Sequence, residues 1–364
     1  MNSSALNIPP VALNTLKDAL IAQFADPVLR QRATMLWGTR GVGKSSVIAQ
    51  VAEESGVPLV DLRLTTIEPV DLRGALFADD DLKKTVWFPP EFLPSSDQQQ
   101  GILFLDELTA ADQRLQTSAY SLILDRRVGD YRLPDGWMII AAGNAAFHGA
   151  VSYDMGTALA DRLFHFNVQS VIDAFLEYAL ANNFAPEVMA FLQIRPDKLD
   201  DTTQQLAQDH LTGASPRGWE DVSRVLQSQL DERQKNLFIQ ARIGAANAAE
   251  FLAAIRDIQS GSNVTALLEA SAGEATKALL PKNLDALYGL VYALAASAGM
   301  RAQVHRIIEI VEQFTDMPGN LPTRESQTLA MELILKKSLE SGIEDEVMNS
   351  PAWIRYSDNL ATAQ

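Results

Sequence analysis

Short apolar runs alternate with helical stretches along the first half of the chain. Each run is too short for a helix and is bounded by turn or polar residues, as expected of strands buried on both faces of a parallel sheet. Residues 11–32, which precede the first run, carry apolar residues at helical spacing. The alternation predicts an α/β layer fold with a five-stranded parallel sheet. The runs are Thr34–Trp37, Leu59–Leu62, Ile102–Leu105, Met138–Ala142 and Phe164–Val168.

Beyond Val168 the apolar pattern is wholly helical. Four helical segments end near Ile258, the polar stretch at 259–263 predicts a linker, and further helices follow. We therefore expect three parts of the chain. They are an α/β core over residues 1–168, an all-helical lid over 169–258 and an extra C-terminal helical domain over 264–364.

The composition is that of an ordinary globular protein, and the net charge of the chain limits which partners it can bind. The chain has no cysteine, which excludes disulfides and thiolate metal sites. Its net charge of −16 repels nucleic acid and anionic membranes in general. The longest apolar run, Ala286–Gly299, is too short to span a bilayer, and the first residues lack the pattern of a signal peptide. We therefore expect a cytoplasmic protein with no membrane span.

Residues 38–45 read GTRGVGKS and fit the pattern GxxxxGK(S/T) at every fixed position, between a predicted strand and a predicted helix. Glycines let successive backbone N–H groups curl round a phosphate, and the positive end of the following helix points at the same anion. We expect Lys44 to reach the β- and γ-phosphates and the Ser45 hydroxyl to ligate Mg²⁺. The predicted nucleotide-binding residues of this loop are Gly38, Thr39, Arg40, Gly41, Val42, Gly43, Lys44, Ser45 and Ser46.

Two later strands end in polar groups suited to hydrolysis of a nucleoside triphosphate. Asp106 and Glu107 follow four apolar residues at the carboxyl end of a strand, where open α/β sheets place ligands. Asp106 is expected to hold Mg²⁺, and Glu107 to orient and polarise the attacking water. The next strand ends at Asn144, whose neutral amide can hydrogen-bond both the γ-phosphate and the water. The sequence therefore predicts Mg²⁺-dependent hydrolysis and not nucleotide binding alone.

The order of these parts resembles that of AAA+ ATPases of the MoxR type. The phosphate loop, the Asp-Glu strand and the Asn-ended strand are followed by ALADRLFHF and GASPRGWEDV, so that the resemblance spans residues 34–257. It implies ATP as the nucleotide and a homo-oligomeric ring, expected to be a hexamer, with ATP sites between subunits. It also implies that Arg162 is an arginine finger and that Arg217 senses the nucleotide. Ser215 and Pro216 are predicted as the N-cap and the first residue of the helix that carries Arg217.

Each of these arginines has a structural alternative. Arg162 follows Asp161 directly, and an ion pair with Asp161 or Asp154 would occupy its guanidinium group. Arg217 could equally be a solvated residue at the start of a helix.

Two inserted segments are longer than a minimal core of this kind requires. GALFADDDLKKTVWFPP, over residues 74–90, has apolar runs on both sides of a charged turn. RVGDYRLPDGW, over residues 127–137, has Gly129-Asp130 as its turn. Both patterns predict hairpins. They resemble the two hairpins that mark the MoxR branch, and ordinary surface loops are the alternative.

The resemblance implies ATP-driven remodelling, maturation or assembly of a partner protein, often one with a von Willebrand A-type domain. A DNA motor or helicase and a nucleotide-gated scaffold are the other function classes that use similar parts. Mixed charges at the hairpin tips and the negative net charge disfavour nucleic acid. Glu107 argues against a scaffold, which needs no water-polarising carboxylate. We expect the partner to bind the hairpins at 75–88 and 128–133 or the C-terminal helical segment. Trp87 and Tyr131 are the candidate aromatic contacts on the hairpins, and burial in their own domain is the alternative for both.

Overall fold

The computed structural model describes residues 7–79, 81, 84–95, 97–144, 160–261, 264–270, 274–317 and 321–362. The chain forms two compact units. The first unit comprises the chain up to Val171 together with Thr202–His210, and the second comprises Ile172–Asp201 together with the chain from Leu211 onward. Within the described residues, no helix combines the length and the apolar character that a membrane crossing requires.

The strands of the described residues all lie in the first unit. In chain order they are β1 (Pro10–Val11), β2 (Thr34–Trp37), β3 (Leu59–Arg63), β4 (Ala75–Asp79), β5 (Lys84–Phe88), β6 (Gln100–Asp106), β7 (Arg127–Val128), β8 (Tyr131–Arg132), β9 (Gly136–Gly143) and β10 (Phe164–Val168). Six of them form one parallel sheet in the order β1-β10-β2-β9-β6-β3. The predicted α/β fold and its five strands are confirmed. The sheet also has a sixth strand, β1. The sequence did not predict it, because two residues are too few to show a periodic pattern.

The α-helices of the described residues connect and cover these strands or form the second unit. In chain order they are α1 (Leu13–Ala25), α2 (Lys44–Glu54), α3 (Pro69–Arg73), α4 (Gln113–Asp125), α5 (Ile172–Ala181), α6 (Pro186–Ile194), α7 (Thr202–Ala207), α8 (Pro216–Gln227), α9 (Glu232–Ile243), α10 (Ala245–Gly261), α11 (Val264–Glu269), α12 (Glu274–Leu279), α13 (Leu284–Ser297), α14 (Arg301–Glu312), α15 (Thr323–Glu340), α16 (Glu344–Met348) and α17 (Pro351–Thr362). The first four and α7 belong to the first unit.

Alternate residues of the central strands face opposite layers of the first unit. Along β6, Ile102 and Phe104 join the core that includes α1 and α2, whereas Leu103 and Leu105 join the core that includes α4. All four side chains are buried, as expected of a parallel strand covered on both faces. A shift of one residue would exchange the two faces, so this burial sets the register and the residue at which each strand ends.

Both predicted hairpins are present. β4 pairs antiparallel with β5, and β7 pairs antiparallel with β8 around the predicted turn. Positions 80, 82 and 83 at the first tip lie outside the described residues. At the base of the second hairpin, Arg126 Nη2 donates to the carbonyl oxygens of Pro134 and Trp137, at 2.8 and 2.7 Å. Burial lowers the pKa of this guanidinium group, which is an internal anchor and not a surface cation.

The second unit has one hydrophobic core over its described residues. Both predicted helical parts contribute to this core: Trp219 and Phe251 belong to the first part, and Tyr292 and Phe314 to the second. The linker predicted at 259–263 was wrong over its first three positions, because α10 continues to position 261. The other two positions lie outside the described residues. The division into a lid and a C-terminal domain stays a prediction, and one core joins the two segments.

α10 and α13 approach each other closely just before the end of α10. Gly289 of α13 faces Ile258 of α10, and a Cβ at position 289 would lie 2.5 Å from Ile258 Cγ2. Packing therefore holds the turn of α10 that ends at Ile258, directly before the polar stretch.

We predict that Gly289→Ala lowers the free energy of unfolding by about 1–3 kcal/mol, because the added methyl group overpacks this contact. Denaturant unfolding of the purified protein measures the change. The control is the same substitution in an Ile258→Ala background, where the methyl group no longer meets Cγ2 and the higher helix propensity of alanine is gained. An equal loss in both backgrounds would exclude the contact between the helices as the cause.

Candidate functional site

The predicted phosphate loop lies between β2 and α2, where the sequence places it. β2 ends at Trp37, and α2 begins at Lys44. Gly43, the residue before the helix, has a left-handed backbone with a φ of 108°, which favours glycine. A Cβ at this position would also lie 2.8 Å from Leu13 Cδ1 of α1. Glycine at position 43 therefore meets a backbone and a packing requirement together.

Lys44 turns its ammonium group back over the loop. Its Nζ donates to the carbonyl oxygens of Gly38 and Thr39, at 2.8 and 3.0 Å, and to Asn144 Oδ1 at 3.3 Å. The first two bonds close the loop on itself, and the third joins it to the end of β9. These three acceptors are neutral oxygens, whose places phosphate oxygens can take.

The remaining loop residues differ in exposure. The first turn of α2 presents backbone N–H groups that have no partner within the helix, which suits an anion. Val42 is buried, Arg40 and Ser46 are exposed, and Thr39, Gly41 and Ser45 are half-buried.

Asp106 and Glu107 stand side by side at the end of β6, and both are half-buried. The chain turns sharply there, because Glu107 has a φ of 58° and donates its backbone N–H to Asp106 Oδ1 at 2.8 Å. The Glu107 carboxylate accepts a hydrogen bond from the hydroxyl group of Thr65, which follows the neighbouring strand β3. Thr65 thus holds the carboxylate that the sequence assigns to the attacking water.

Asp61 and Asp106 are carboxylates on neighbouring strands of the sheet, and their negative charges repel each other. Asp61, on β3, has a pKa above its ordinary value because of partial desolvation and the negative charge of Asp106. A divalent cation beside Asp106 would relieve this repulsion. Ser45 and Asp106 are oxygen donors, the ligand type that Mg²⁺ prefers. The donor set therefore fits the metal that the motif implies.

Asn144 is held at the end of β9 by a buried threonine. Thr109 Oγ1 donates to the Asn144 carbonyl oxygen and accepts from the Asn144 N–H, both at 3.2 Å. Gly143 leaves the space for this contact, because a Cβ there would lie 2.6 Å from Thr109 Cγ2. The ends of β6 and β9 are therefore joined, and Asn144 is joined in turn to Lys44.

Arg162 is exposed in the turn that leads into β10. The turn is closed by a bond of 3.4 Å from the Leu163 N–H to the Ala160 carbonyl oxygen. No ion pair joins Arg162 to Asp161 in the part of the chain that the structure describes. Asp154, the other alternative partner, lies outside the described residues.

Arg217 lies in the second unit, at the second residue of α8, and its side chain is exposed. Ser215 is the N-cap, as predicted, and its Oγ accepts from the Gly218 N–H at 3.1 Å. Pro216 is the first helical residue, also as predicted.

Sequence reasoning did not identify Thr65 and Thr109. Each follows the end of a strand at the same sheet edge as the carboxylates, which is the one signal that the sequence offers. Their partners Glu107 and Asn144 are 42 and 35 residues away along the chain. Only the order of the strands reveals that these residues meet.

Comparisons with known proteins agree with this geometry. Residues 34–148 match the model of the family described as ATPase family associated with various cellular activities (AAA). Over 191 residues the chain is 25% identical to midasin from Giardia intestinalis, an alignment that covers 50% of this chain and 4% of that protein. The chain thus spans only a small part of that relative.

Two of the solved structures that the comparison found are NtrX and RuvB. NtrX from Brucella abortus is 17% identical, with 63% of this chain and 50% of that chain covered and a TM-score of 0.32. A RuvB mutant from Thermotoga maritima is 13% identical, with 76% of this chain and 84% of that chain covered and a TM-score of 0.38.

The matched segment begins at β2 and contains the phosphate loop, the Asp106–Glu107 pair and Asn144, which the fold brings to one edge of the sheet. Residues 34–148 are therefore similar to the ATPase domains that this family model describes, and they hold the residues that the sequence assigned to hydrolysis.

Proposed function

We propose that this protein is a ring-forming ATPase of the MoxR type that uses ATP hydrolysis to remodel, mature or assemble a partner protein. The observation that carries the proposal is that Arg162 is exposed on the same domain whose sheet brings together the residues assigned to ATP hydrolysis. An arginine supplied by a neighbour stabilises the charge of phosphoryl transfer and contributes about 10³–10⁵ in rate. A homo-oligomeric ring, which we expect to be a hexamer, would give every ATP site such a neighbour.

The residues of the loop and of β6 have separate roles in this proposal. Lys44 contacts the β- and γ-phosphates in place of the loop carbonyls, and Ser45 and Asp106 hold Mg²⁺. Bound Mg²⁺ neutralises charge on the phosphate oxygens. Glu107 orients and polarises the attacking water, and its hydrogen bond from Thr65 limits the directions that the carboxylate can take.

The other three assignments concern groups around the γ-phosphate. Asn144 gives up its contact with Lys44 to bond the γ-phosphate and the water. Arg162 serves the site of the adjacent subunit. Arg217, on the first turn of α8, senses the nucleotide from the helical lid over 169–258.

The β4–β5 hairpin is the surface that we assign to the partner protein. Phe77 and Phe88 are 54% and 55% exposed and contact each other edge to face, with 5.0 Å between ring centroids. Trp87 and Tyr131, the aromatic residues that the sequence suggested, are both half-buried, and the Tyr131 hydroxyl donates to the Pro94 carbonyl oxygen at 2.8 Å. The exposed pair is therefore better suited to anchor a partner. The partner class that we propose is a protein with a von Willebrand A-type domain.

A DNA motor is less well supported. Of the three arginines near the second hairpin, Arg126 donates to backbone carbonyl oxygens within the domain. Arg132 is paired with Asp135, with 3.5 Å between Nη2 and Oδ1. Arg127 makes no ion pair among the described residues, and the chain as a whole carries a net charge of −16. Phosphate binding needs several local cations.

We predict that Lys44→Ala loses ATP binding, whereas Glu107→Gln binds ATP and hydrolyses it about 10²–10⁴-fold more slowly, because only the water-polarising carboxylate is changed. Calorimetric titration with ATP and Mg²⁺ measures binding, and phosphate release measures turnover. The control is Glu91→Gln, which neutralises an exposed carboxylate outside the site. Hydrolysis by Glu107→Gln at the parental rate would refute the role given to Glu107.

We also predict that Arg162→Ala binds ATP but loses turnover. Mixing it with Lys44→Ala should restore hydrolysis in part, because a Lys44→Ala subunit can lend its arginine to the intact site of its neighbour. Phosphate release from mixed rings measures the recovery, with Arg127→Ala as the control for loss of an exposed arginine. No recovery in rings verified to contain both subunits would count against action between subunits.

The hairpin makes a third prediction. Replacement of Phe77 and Phe88 by alanine should raise the partner concentration needed for half-maximal ATPase stimulation about tenfold. The control is Thr85→Ala, an exposed residue of the same hairpin. The assay compares a von Willebrand A-type protein with single-stranded and duplex DNA at physiological salt. Strong stimulation by DNA that falls steeply with salt would favour the motor instead.

A further inference from the structure

We propose that His165 is a positioning residue for phosphoryl transfer, which ties the turn that carries Arg162 to the strand that carries the phosphate loop. The proposal rests on the function given above to Arg162, which serves the ATP site of a neighbouring subunit. The evidence is a pair of hydrogen bonds through one imidazole ring.

His165 and Trp37 are diagonal neighbours on one face of the sheet. His165 of β10 lies opposite Met35 of β2, and Trp37 follows two residues further along β2. The planes of the two rings are 23° apart, and their centroids are 6.1 Å apart. Trp37 Nε1 lies 3.0 Å from His165 Nδ1, and His165 Nε2 lies 2.7 Å from the Ala160 carbonyl oxygen.

The chemistry of the indole sets the direction of both bonds. Trp37 Nε1 can only donate, so Nδ1 of His165 must carry a lone pair. The proton of the neutral ring is then on Nε2, where it is donated to the carbonyl oxygen of Ala160. The other neutral tautomer would satisfy neither partner, and a side chain without both a donor and an acceptor would lose at least one bond.

The Ala160 carbonyl is the starting point of the turn that carries Arg162. It also accepts from Leu163 N–H, but at 3.4 Å, so the imidazole makes the shorter contact. Arg162 stands between these two residues with an exposed side chain. The direction of the Arg162 side chain therefore depends on the Ala160 carbonyl group, which His165 holds.

The same ring is connected to the phosphate loop. Trp37 is the last residue of β2, and the carbonyl oxygen of the next residue, Gly38, accepts from Lys44 Nζ at 2.8 Å. A series of direct contacts thus runs from Lys44 through Gly38 and Trp37 to His165 and Ala160. In a ring, the strand that leads into a subunit's own loop would thus anchor the turn whose arginine is offered to the neighbour.

Three substitutions separate these contacts. His165→Phe keeps an aromatic ring but loses both hydrogen bonds, Trp37→Phe removes the indole donor, and His165→Gln places an amide N–H near the position of Nε2. We expect His165→Phe to lower kcat on the order of tenfold to a hundredfold, because a small misplacement of a catalytic group is costly. The affinity for ATP should change less than about twofold. His165→Gln should recover most of the loss.

Mixed rings give a result that a general structural defect would not. His165→Phe subunits keep their own ATP site, and Lys44→Ala subunits keep an intact Arg162 turn. Mixing the two should therefore restore hydrolysis as far as mixing Arg162→Ala with Lys44→Ala does. If His165 served only its own loop, neither subunit type would hold a working site, and no rescue would be seen.

Arg162→Ala distinguishes failure of this proposal from failure of the proposed function. If Arg162→Ala keeps parental turnover, both fail. If Arg162→Ala loses turnover while His165→Phe and Trp37→Phe keep the parental kcat, only the role of His165 is wrong. Loss of turnover by His165→Phe without rescue in mixed rings overturns it as well. Should His165→Phe not assemble, Trp37→Phe with the same mixing measurement decides the question.

Discussion

Parallel pairing of β2, β9 and β6 is the constraint on which the site depends. Trp37 lies opposite Gly143, and Leu105 lies opposite Ala141, so that all three strands end at one edge of the sheet. Lys44, Asp106 and Asn144 reach that edge from distant parts of the sequence. Because both faces of these strands are buried, a slip of one residue would expose apolar side chains and would also separate the polar groups at the edge. The burial of apolar side chains in the core therefore also holds the polar groups of the site together.

Neutral groups hold the residues that the motifs name. Thr65 donates to Glu107, Thr109 clamps the backbone of Asn144, and the imidazole of His165 supports the turn beside Arg162. A neutral support does not compete with phosphate or with a metal ion for the group that it holds, so that charge stays available for the ligand. It also fixes a direction, because a hydrogen bond weakens steeply when it is bent.

The phosphate loop, the strand ends and both hairpins could be predicted because each is encoded in a continuous stretch: glycines before Lys44, apolar runs before Asp106, turn residues at Gly129-Asp130. The contacts of Thr65, Thr109 and Trp37 could not, since each joins two strands whose adjacency is a property of the whole sheet. In the helical part, the polar composition after Ile258 suggested a linker, but the helix continues to position 261, and the turn before it packs against Gly289 through Ile258. The exposure of Phe77 against the partial burial of Trp87 is likewise a tertiary property.

Gly143 has a consequence for the mutational tolerance of the protein. Its missing side chain is the space into which the methyl group of Thr109 fits, and Thr109 is the link between the ends of two strands. A larger residue at position 143 would push on that link and displace Asn144 and the turn after Asp106 together. Two different contributions to hydrolysis would fail from one change at a residue to which no chemical role is assigned. A residue can therefore tolerate substitution poorly although its only contribution is the space that its missing side chain leaves.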